Sequence, residues 1–75
     1  MTWDQEIDAT GLLCPLPVLK ARKRLSQMQA GQVLRVLASD PMAVVDVPHF
    51  CNEAGHEFQG MTELEGTRAF LIRRG

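Results

Sequence analysis

The sequence predicts an α/β (α+β) fold, a two-layer βαβαββ sandwich with two helices on one face of a four-stranded mixed sheet. Two observations lead to this prediction. The first half of the chain contains a strand, a helix and a strand, and the crossover in such a unit makes the two strands parallel. The last part contains two apolar segments with a short link, which favours an antiparallel hairpin. At 75 residues, the chain is expected to form a single domain over residues 1–75.

The first strand and the loop after it lead to a cysteine. Residues 3–9 show a period-two pattern that indicates a short strand. Asp8 and Thr10 can bond to nearby backbone, and Gly11 can adopt a positive φ, so residues 8–13 are expected to form a loop. That loop places Cys14 where the next element begins.

The first helix is predicted to run from Leu16 to about Met28, with Gly31 as its C-terminal stop. One side of this helix is apolar, with Arg22 and Gln29 at its edge, because several small and aliphatic residues recur at helical spacing. These core-facing residues are Val18, Ala21, Leu25 and Met28.

The second helix follows a predicted buried strand at residues 32–38. Ser39, Asp40 and Pro41 indicate its start and Gly55 its end. Pro48 interrupts the helical pattern, so either the helix kinks there or a second short helix begins. The predicted buried stripe consists of Val44, Val47, Cys51 and Ala54.

The hairpin at the end of the chain is predicted from two segments rich in apolar residues. Its strands are expected at residues 56–61 and 68–73, and the turn at residues 62–67.

The composition is typical of a soluble protein that stays in the cytoplasm. No apolar run approaches the roughly 18 residues of a transmembrane helix, and the acidic N-terminus lacks the pattern of a signal peptide. A net charge of −1 provides no general attraction to nucleic acids or anionic membranes. Cys14 and Cys51 are expected to be free thiols in this reducing compartment.

Cys14 is the strongest candidate for a reactive residue. Pro15 and Pro17 each fix φ and lack an N–H, so both suit the first turn of a helix and place Cys14 at or just before its start. The unpaired N–H groups and the helix dipole at such a position favour a thiolate. The alternative is a small apolar packing residue, which free cysteine often is.

The face of the first helix opposite its core side is predicted to be a docking patch. Packing of the core does not explain two leucines on the outward face of this helix, and two lysines surround them. The alternative is a solvated face, since exposed leucines are common. The patch consists of Leu16, Leu19, Lys20 and Lys23.

Other chemistries find little support in the sequence. His49 and His56 are interpreted as surface or packing residues, and together with Cys51 they lack the spacing of a metal site. The chain has no Cys-x-x-Cys pair and no glycine-rich phosphate loop. No metal or cofactor is therefore expected. A thiol on a small rigid domain is suited to carrying a chemical group between proteins. A persulfide is such a group, because transfer of its sulfur requires only that a partner's thiol be brought into line with it.

The residues around Cys14 resemble those of a known family. The run from Asp8 through Gly11 to Cys14-Pro15-Leu16-Pro17 is similar to the Cys-Pro-x-Pro signature of the TusA/SirA/YedF-like sulfur carriers. Further similarity lies in Arg22-Lys23, Asp40-Pro41, the segment 46–51 and the closing segment 70–74. The resemblance covers essentially the whole chain, and its length and later segments are most similar to the TusA group.

The resemblance implies the same βαβαββ fold, like that of the C-terminal domain of bacterial translation initiation factor three. It implies that Cys14 holds a persulfide and that Gly11, Pro15 and Pro17 position its turn. A cysteine desulfurase or rhodanese would load the sulfur, and a DsrE/TusD-like or other thiol protein would accept it. The destination would be tRNA 2-thiouridine, the molybdenum cofactor or sulfur oxidation. Leu16 departs from the glutamate of some TusA proteins, which bears on the choice of acceptor.

Taken together, the sequence predicts a monomeric cytoplasmic sulfur carrier without direct nucleic-acid or membrane binding. Two alternatives remain at this point. One is a regulatory or RNA-associated module, suggested by the initiation-factor-like fold and the basic segment after the cysteine. A shared fold alone, however, is weak evidence for a shared function. The other is a thiol–disulfide redox protein that uses Cys14 and Cys51.

Overall fold

The computed structural model describes residues 3–75 and contains the predicted succession of elements. The βαβαββ order and the four-stranded mixed sheet are therefore confirmed. The element bounds are Gln5–Asp8 (β1), Leu16–Ser26 (α1), Val33–Ala38 (β2), Ala43–Ala54 (α2), Glu57–Leu64 (β3) and Thr67–Arg73 (β4).

The sheet has the strand order β1-β2-β4-β3. β1 and β2 are parallel, and β4 is antiparallel to both of its neighbours. β2 is central and alternates strictly, so that Leu34, Val36 and Ala38 are fully buried under the helices. On the opposite face Arg35 lies over the ring of Trp3 at 4.3 Å and pairs with Glu6 at 2.9 Å. One face of the sheet therefore forms the core, and the other carries partly exposed side chains, among them Arg35, Val33 and Leu37.

The first helix ends earlier than predicted. It stops at Ser26, because the N–H groups of Gln27 and Met28 bond three residues back and tighten the chain out of the α-helix. Gly31 is not the helix stop. It has a φ of +90° in the turn before β2 and donates its N–H to the carbonyl oxygen of Arg74 at 2.9 Å. Met28 is nevertheless buried, as expected.

The second helix begins at Ala43, two residues beyond the predicted start. It is one continuous helix through Pro48. The predicted stripe was half right, since Val47 and Cys51 are buried whereas Val44 and Ala54 are exposed. Val44 lies at the edge of the buried face and Ala54 in the last turn. The observed core face has the usual i, i+4, i+7, i+8 spacing and consists of Ala43, Val47, Phe50 and Cys51.

The strand limits also differ at both ends of the sheet. β1 is shorter than predicted, and the hairpin strands are longer, so that only Glu65 and Gly66 form the turn. Gly66, the second residue of this turn, has a φ of +70°, a conformation that glycine adopts without strain.

No helix within residues 3–75 has the length and apolar character needed to cross a membrane.

Candidate functional site

The loop between β1 and α1 is held by hydrogen bonds at both ends. At its start the Asp8 carboxylate accepts hydrogen bonds from the backbone and hydroxyl of Thr10, at 2.9 and 2.6 Å. Gly11 has a φ of +81°, as predicted, and donates its N–H to the hydroxyl of Ser39 at 2.8 Å. The N–H of Cys14 donates to Oδ2 of Asp40 at 2.7 Å. The segment between β2 and α2 therefore fixes the loop that carries the cysteine.

Cys14 is exposed and lies immediately before the N-cap of α1. Pro15 is the N-cap residue, and the peptide bond between Cys14 and Pro15 is cis. Pro17 lies in the first turn, as predicted, and its ring is buried. The helix start thus presents the sulfur of Cys14 at the surface next to a packed turn.

The side chain of Cys14 lines a groove between α1 and α2. The groove has a volume of about 270 Å³. Pro15, Val18 and Phe50 give it an apolar lining, and the titratable residues beside them all come from α2. These residues are Asp46, His49 and Glu53.

The electrostatic environment of Cys14 differs from the sequence-based expectation. The pKa of the Cys14 thiol is raised, chiefly because the Asp46 carboxylate acts as hydrogen-bond acceptor for the thiol, then by desolvation and by the charges of Asp46 and Asp40. The start of α1 offers few N–H groups to oppose this, because Pro15 and Pro17 have none and Leu16 donates to Leu13. The prediction that the helix N-terminus favours a thiolate was therefore wrong.

The second cysteine is not a solvent-accessible thiol. Cys51 is 1% exposed, and burial raises the pKa of its thiol to about 11. The prediction that it packs in the core is confirmed. This burial does not favour the alternative in which Cys14 and Cys51 form a redox pair.

The two histidines occupy different surroundings. His56 packs against the ring of Phe50 at a centroid distance of 5.6 Å, and its Nδ1 accepts the N–H of Gly75 at 3.0 Å. His49 lines the groove beside Cys14, with Nε2 at 3.4 Å from Oε1 of Glu53. The interpretation of His49 as a surface or packing residue is confirmed, since its side chain is 72% exposed. Its position beside Cys14 was not predicted, because it depends on the packing of α2 against α1.

The four residues of the docking patch lie on the surface, in different local settings. Leu16 and Leu19 are about half exposed, at 49% and 48%. Lys23 is exposed, whereas Nζ of Lys20 donates a hydrogen bond to the carbonyl oxygen of Asp8. Lys20 and Lys23, with Arg24, also line a separate basic groove beside β1. The lysines therefore flank α1 on the side away from the Cys14 groove.

Sequence reasoning missed part of the apolar surface around the cysteine. Leu13 is 69% exposed, and Met42 and Val45 at the start of α2 are also exposed. The hydrogen bond between Cys14 and Asp40 brings the start of α2 next to the cysteine. We refer to Leu13, Leu16, Met42 and Val45 as the apolar rim of Cys14.

Comparison with known proteins identifies a family. The model of the family described as sulfurtransferase TusA matches residues 5–74. The sulfur carrier protein TusA of Allochromatium vinosum is 47% identical over 96% of this chain and 95% of its own length. The corresponding protein of Pseudomonas entomophila is 45% identical over 95% and 89% of the two chains. The crystal structure of a SirA-like protein from Desulfitobacterium hafniense superposes with a TM-score of 0.84 at 28% identity, covering 96% of this chain and 99% of that one.

Proposed function

Because this chain belongs to the sulfurtransferase TusA family and shares its sulfur carrier role, we propose that Cys14 holds the sulfur as a persulfide. The observation that supports this proposal is the contrast between the two cysteines of the chain. Cys14 is exposed beside a groove, whereas Cys51 is buried in the core. Transfer between thiols requires that a partner's sulfur reach the attacked sulfur in line, which only an exposed cysteine permits.

The surroundings of Cys14 suit a carrier that larger proteins load and unload. Membership of the family implies interaction with sulfur donor and acceptor proteins. For the donor we propose a cysteine desulfurase or a rhodanese, and for the acceptor a DsrE/TusD-like or other thiol protein. The apolar rim supplies exposed apolar area beside the sulfur, as the core of a protein interface does, and the exposed Leu19 and Lys23 lie further along α1. We place this exchange in the cytoplasm, in tRNA thiolation, molybdenum cofactor synthesis or sulfur oxidation.

Mass spectrometry tests the carrier role directly. Incubation with a cysteine desulfurase and cysteine should add about 32 Da, the mass of one sulfur atom, to a peptide containing Cys14. Cys51→Ala should gain the same mass, and Cys14→Ser should not. A full gain on Cys14→Ser would show that the sulfur resides elsewhere.

A further inference from the structure

A second groove lies between α1 and the outer edge of β1, on the other side of α1 from Cys14. Its volume is about 380 Å³, and β1 contributes Ile7 to its lining. The other lining residues lie on α1 and its C-cap at helical spacing, so they share one face. They are Lys20, Lys23, Arg24 and Gln27. Three of these four carry a positive charge, and no carboxylate is among the described residues that line this groove.

Two of these cations are anchored at opposite ends of β1. Nζ of Lys20 donates a hydrogen bond to the carbonyl oxygen of Asp8, the last residue of the strand. Nη1 of Arg24 donates to Oε1 of Gln5, the first residue of the strand, at 3.2 Å. Both acceptors are uncharged, and an ammonium or guanidinium group has further N–H donors to offer. The two side chains are therefore positioned along the strand, and neither forms an ion pair with a residue between 3 and 75.

The carboxylates of β1 bond to groups outside the groove. Glu6 pairs with Arg35 on the opposite face of the sheet at 2.9 Å. Asp8 accepts two hydrogen bonds from Thr10, which are the main reason why its pKa is lowered, and the charge of Lys20 is the last of the causes. The positive charge of the groove is therefore available to a carboxylate from outside the chain.

The outer side of β1 is also open to backbone pairing. β1 lies at the end of the sheet and, within the described residues, pairs with β2 alone. The N–H of Ala9 donates to the carbonyl oxygen of Leu37 in β2 at 2.7 Å, whereas the carbonyl oxygen of Asp8 accepts from Lys20. Successive residues of a strand direct their backbone groups to opposite sides, so the N–H and carbonyl groups of Glu6 also point away from β2. An extended segment can add to such an edge.

We propose that the outer edge of β1 binds an extended segment of a partner protein that carries acidic side chains at alternate positions. The backbone of the segment pairs with Glu6, and its carboxylates enter the groove. Side chains on one face of a strand repeat about every 6.6 Å, and Lys20 and Arg24 are separated by about 6 Å along the helix axis. The two cations therefore match the spacing of every second residue of the segment.

The groove favours this occupant over two others. A second copy of the same edge would bring its own cations against these, and like charges repel. A single-stranded nucleic acid binds largely by stacking on aromatic side chains, and the described lining has none. The inference does not rest on the persulfide at Cys14, because this groove lies on the other side of α1.

A fluorescein-labelled peptide with glutamate at alternate positions, and threonine or valine between them, tests the inference on the full chain. Fluorescence anisotropy at low salt should show binding, and a peptide with glutamine in place of each glutamate should bind at least about tenfold more weakly. Lys20→Gln and Arg24→Gln should each raise the dissociation constant of the glutamate peptide about threefold or more. Arg22→Gln is the matched control, because Arg22 is an exposed cation of α1 that does not line the groove.

Amide hydrogen exchange, followed by NMR, separates strand pairing from charge attraction alone. Exchange of the Glu6 N–H should slow about fivefold or more when the peptide saturates the protein, because this group gains a backbone acceptor. The N–H groups of β3, at the opposite edge of the sheet, should exchange at the same rate with and without the peptide.

Several results would overturn the inference. These are no binding of the glutamate peptide, equal binding of the glutamine peptide, equal weakening in Arg22→Gln, or unchanged exchange of Glu6 in the saturated complex. Tighter binding of a uridine oligonucleotide of similar length would assign the groove to nucleic acid instead. If Lys20→Gln does not fold, as judged by circular dichroism, Lys23→Gln is measured by the same criteria. Sulfur loading of Cys14 is measured separately, so either proposal can fail while the other stands.

Discussion

The backbone N–H of Cys14 donates a hydrogen bond of 2.7 Å to Oδ2 of Asp40, 26 residues further along the chain. The other carboxylate oxygen of Asp40 accepts the N–H of Met42 at 3.1 Å. One side chain thus joins the loop before α1 to the turn before α2. A cysteine in an exposed loop gains a defined position in this way, because hydrogen bonds to an ionised acceptor are short and directional.

Asp40→Ala should release the cysteine loop. Loss of both hydrogen bonds is expected to lower the free energy of unfolding by about 1–2 kcal/mol and to slow sulfur loading of Cys14. Urea unfolding and the initial rate of mass gain measure the two effects. Asp40→Asn retains one acceptor oxygen, so its effects should be smaller. Wild-type loading rates in Asp40→Ala would show that the hydrogen bond to Cys14 does not position the sulfur.

Leu16→Ala should impair the interaction with the donor without affecting the fold. Leu16 is half exposed, so its truncation is expected to change the free energy of unfolding by no more than about 0.5 kcal/mol while raising the KM for the donor. Leu25 in the same helix is 1% exposed, and Leu25→Ala should cost about 2–5 kcal/mol. Chemical denaturation and steady-state loading distinguish the two. An unchanged KM in Leu16→Ala would remove this leucine from the docking patch.

Lys23→Glu should weaken docking through charge alone. Lys23 is exposed and α-helical, so reversal of its charge is expected to slow loading at low salt and to have less effect as ionic strength rises. Arg73→Glu is a matched control, because Arg73 pairs with Val33 at the end of the sheet away from Ser39 and Asp40. Equal slowing by both variants would indicate a general charge effect and not a docking site.

Cys51→Ala should separate stability from function. Cys51 is fully buried, so removal of its sulfur is expected to lower the free energy of unfolding by about 1 kcal/mol, similar to an Ile→Val change. Sulfur loading of Cys14 should continue at the wild-type rate. Iodoacetamide at pH 8 should modify only Cys14 in the folded wild type, because burial raises the pKa of Cys51. Loss of sulfur loading in Cys51→Ala would instead support the redox alternative.

His56 should make stability depend on pH. Its pKa lies below the usual 6.5, because burial and then the charge of Arg74 disfavour the imidazolium. The unfolded chain therefore binds a proton more readily than the folded chain, so the free energy of unfolding should fall as the pH drops from 7 through 6.5 and below. Protonation of Nδ1 would also break the hydrogen bond from Gly75. Urea unfolding at several pH values should show a weaker dependence in His56→Gln than in the wild type, and an equal dependence in both would contradict this prediction.

The fold followed from local patterns, and these patterns explain why its prediction succeeded. The alternation along β2 and the short link between β3 and β4 require no knowledge of distant contacts. The start of the second helix was predicted wrongly because one residue, Asp40, could serve two different roles. Ser39, Asp40 and Pro41 indicate a helix start, but Asp40 uses its carboxylate for Cys14 and Met42, and the helix begins at Ala43.

The site was less predictable than the fold, because its surroundings come from distant parts of the chain. The two prolines correctly located Cys14 before α1. The same prolines remove N–H groups that would stabilise a thiolate, and Asp46 faces the sulfur from another helix. Only the packing of α2 against α1 reveals that Asp46 and His49 line the groove. A pattern read along one segment does not contain this information.

The hydrogen bond between Cys14 and Asp40 has a consequence for biosynthesis. A growing chain carries Cys14 for 26 residues before Asp40 is added, and until then the hydrogen bond from the backbone N–H of Cys14 cannot form. Ser39 and Asp40 directly follow β2, and the pairing of β2 with β1 brings both residues to the loop. Correct placement of the sulfur therefore depends on completion of the central strand, and a ribosome-bound fragment that ends before residue 39 would carry an unpositioned cysteine.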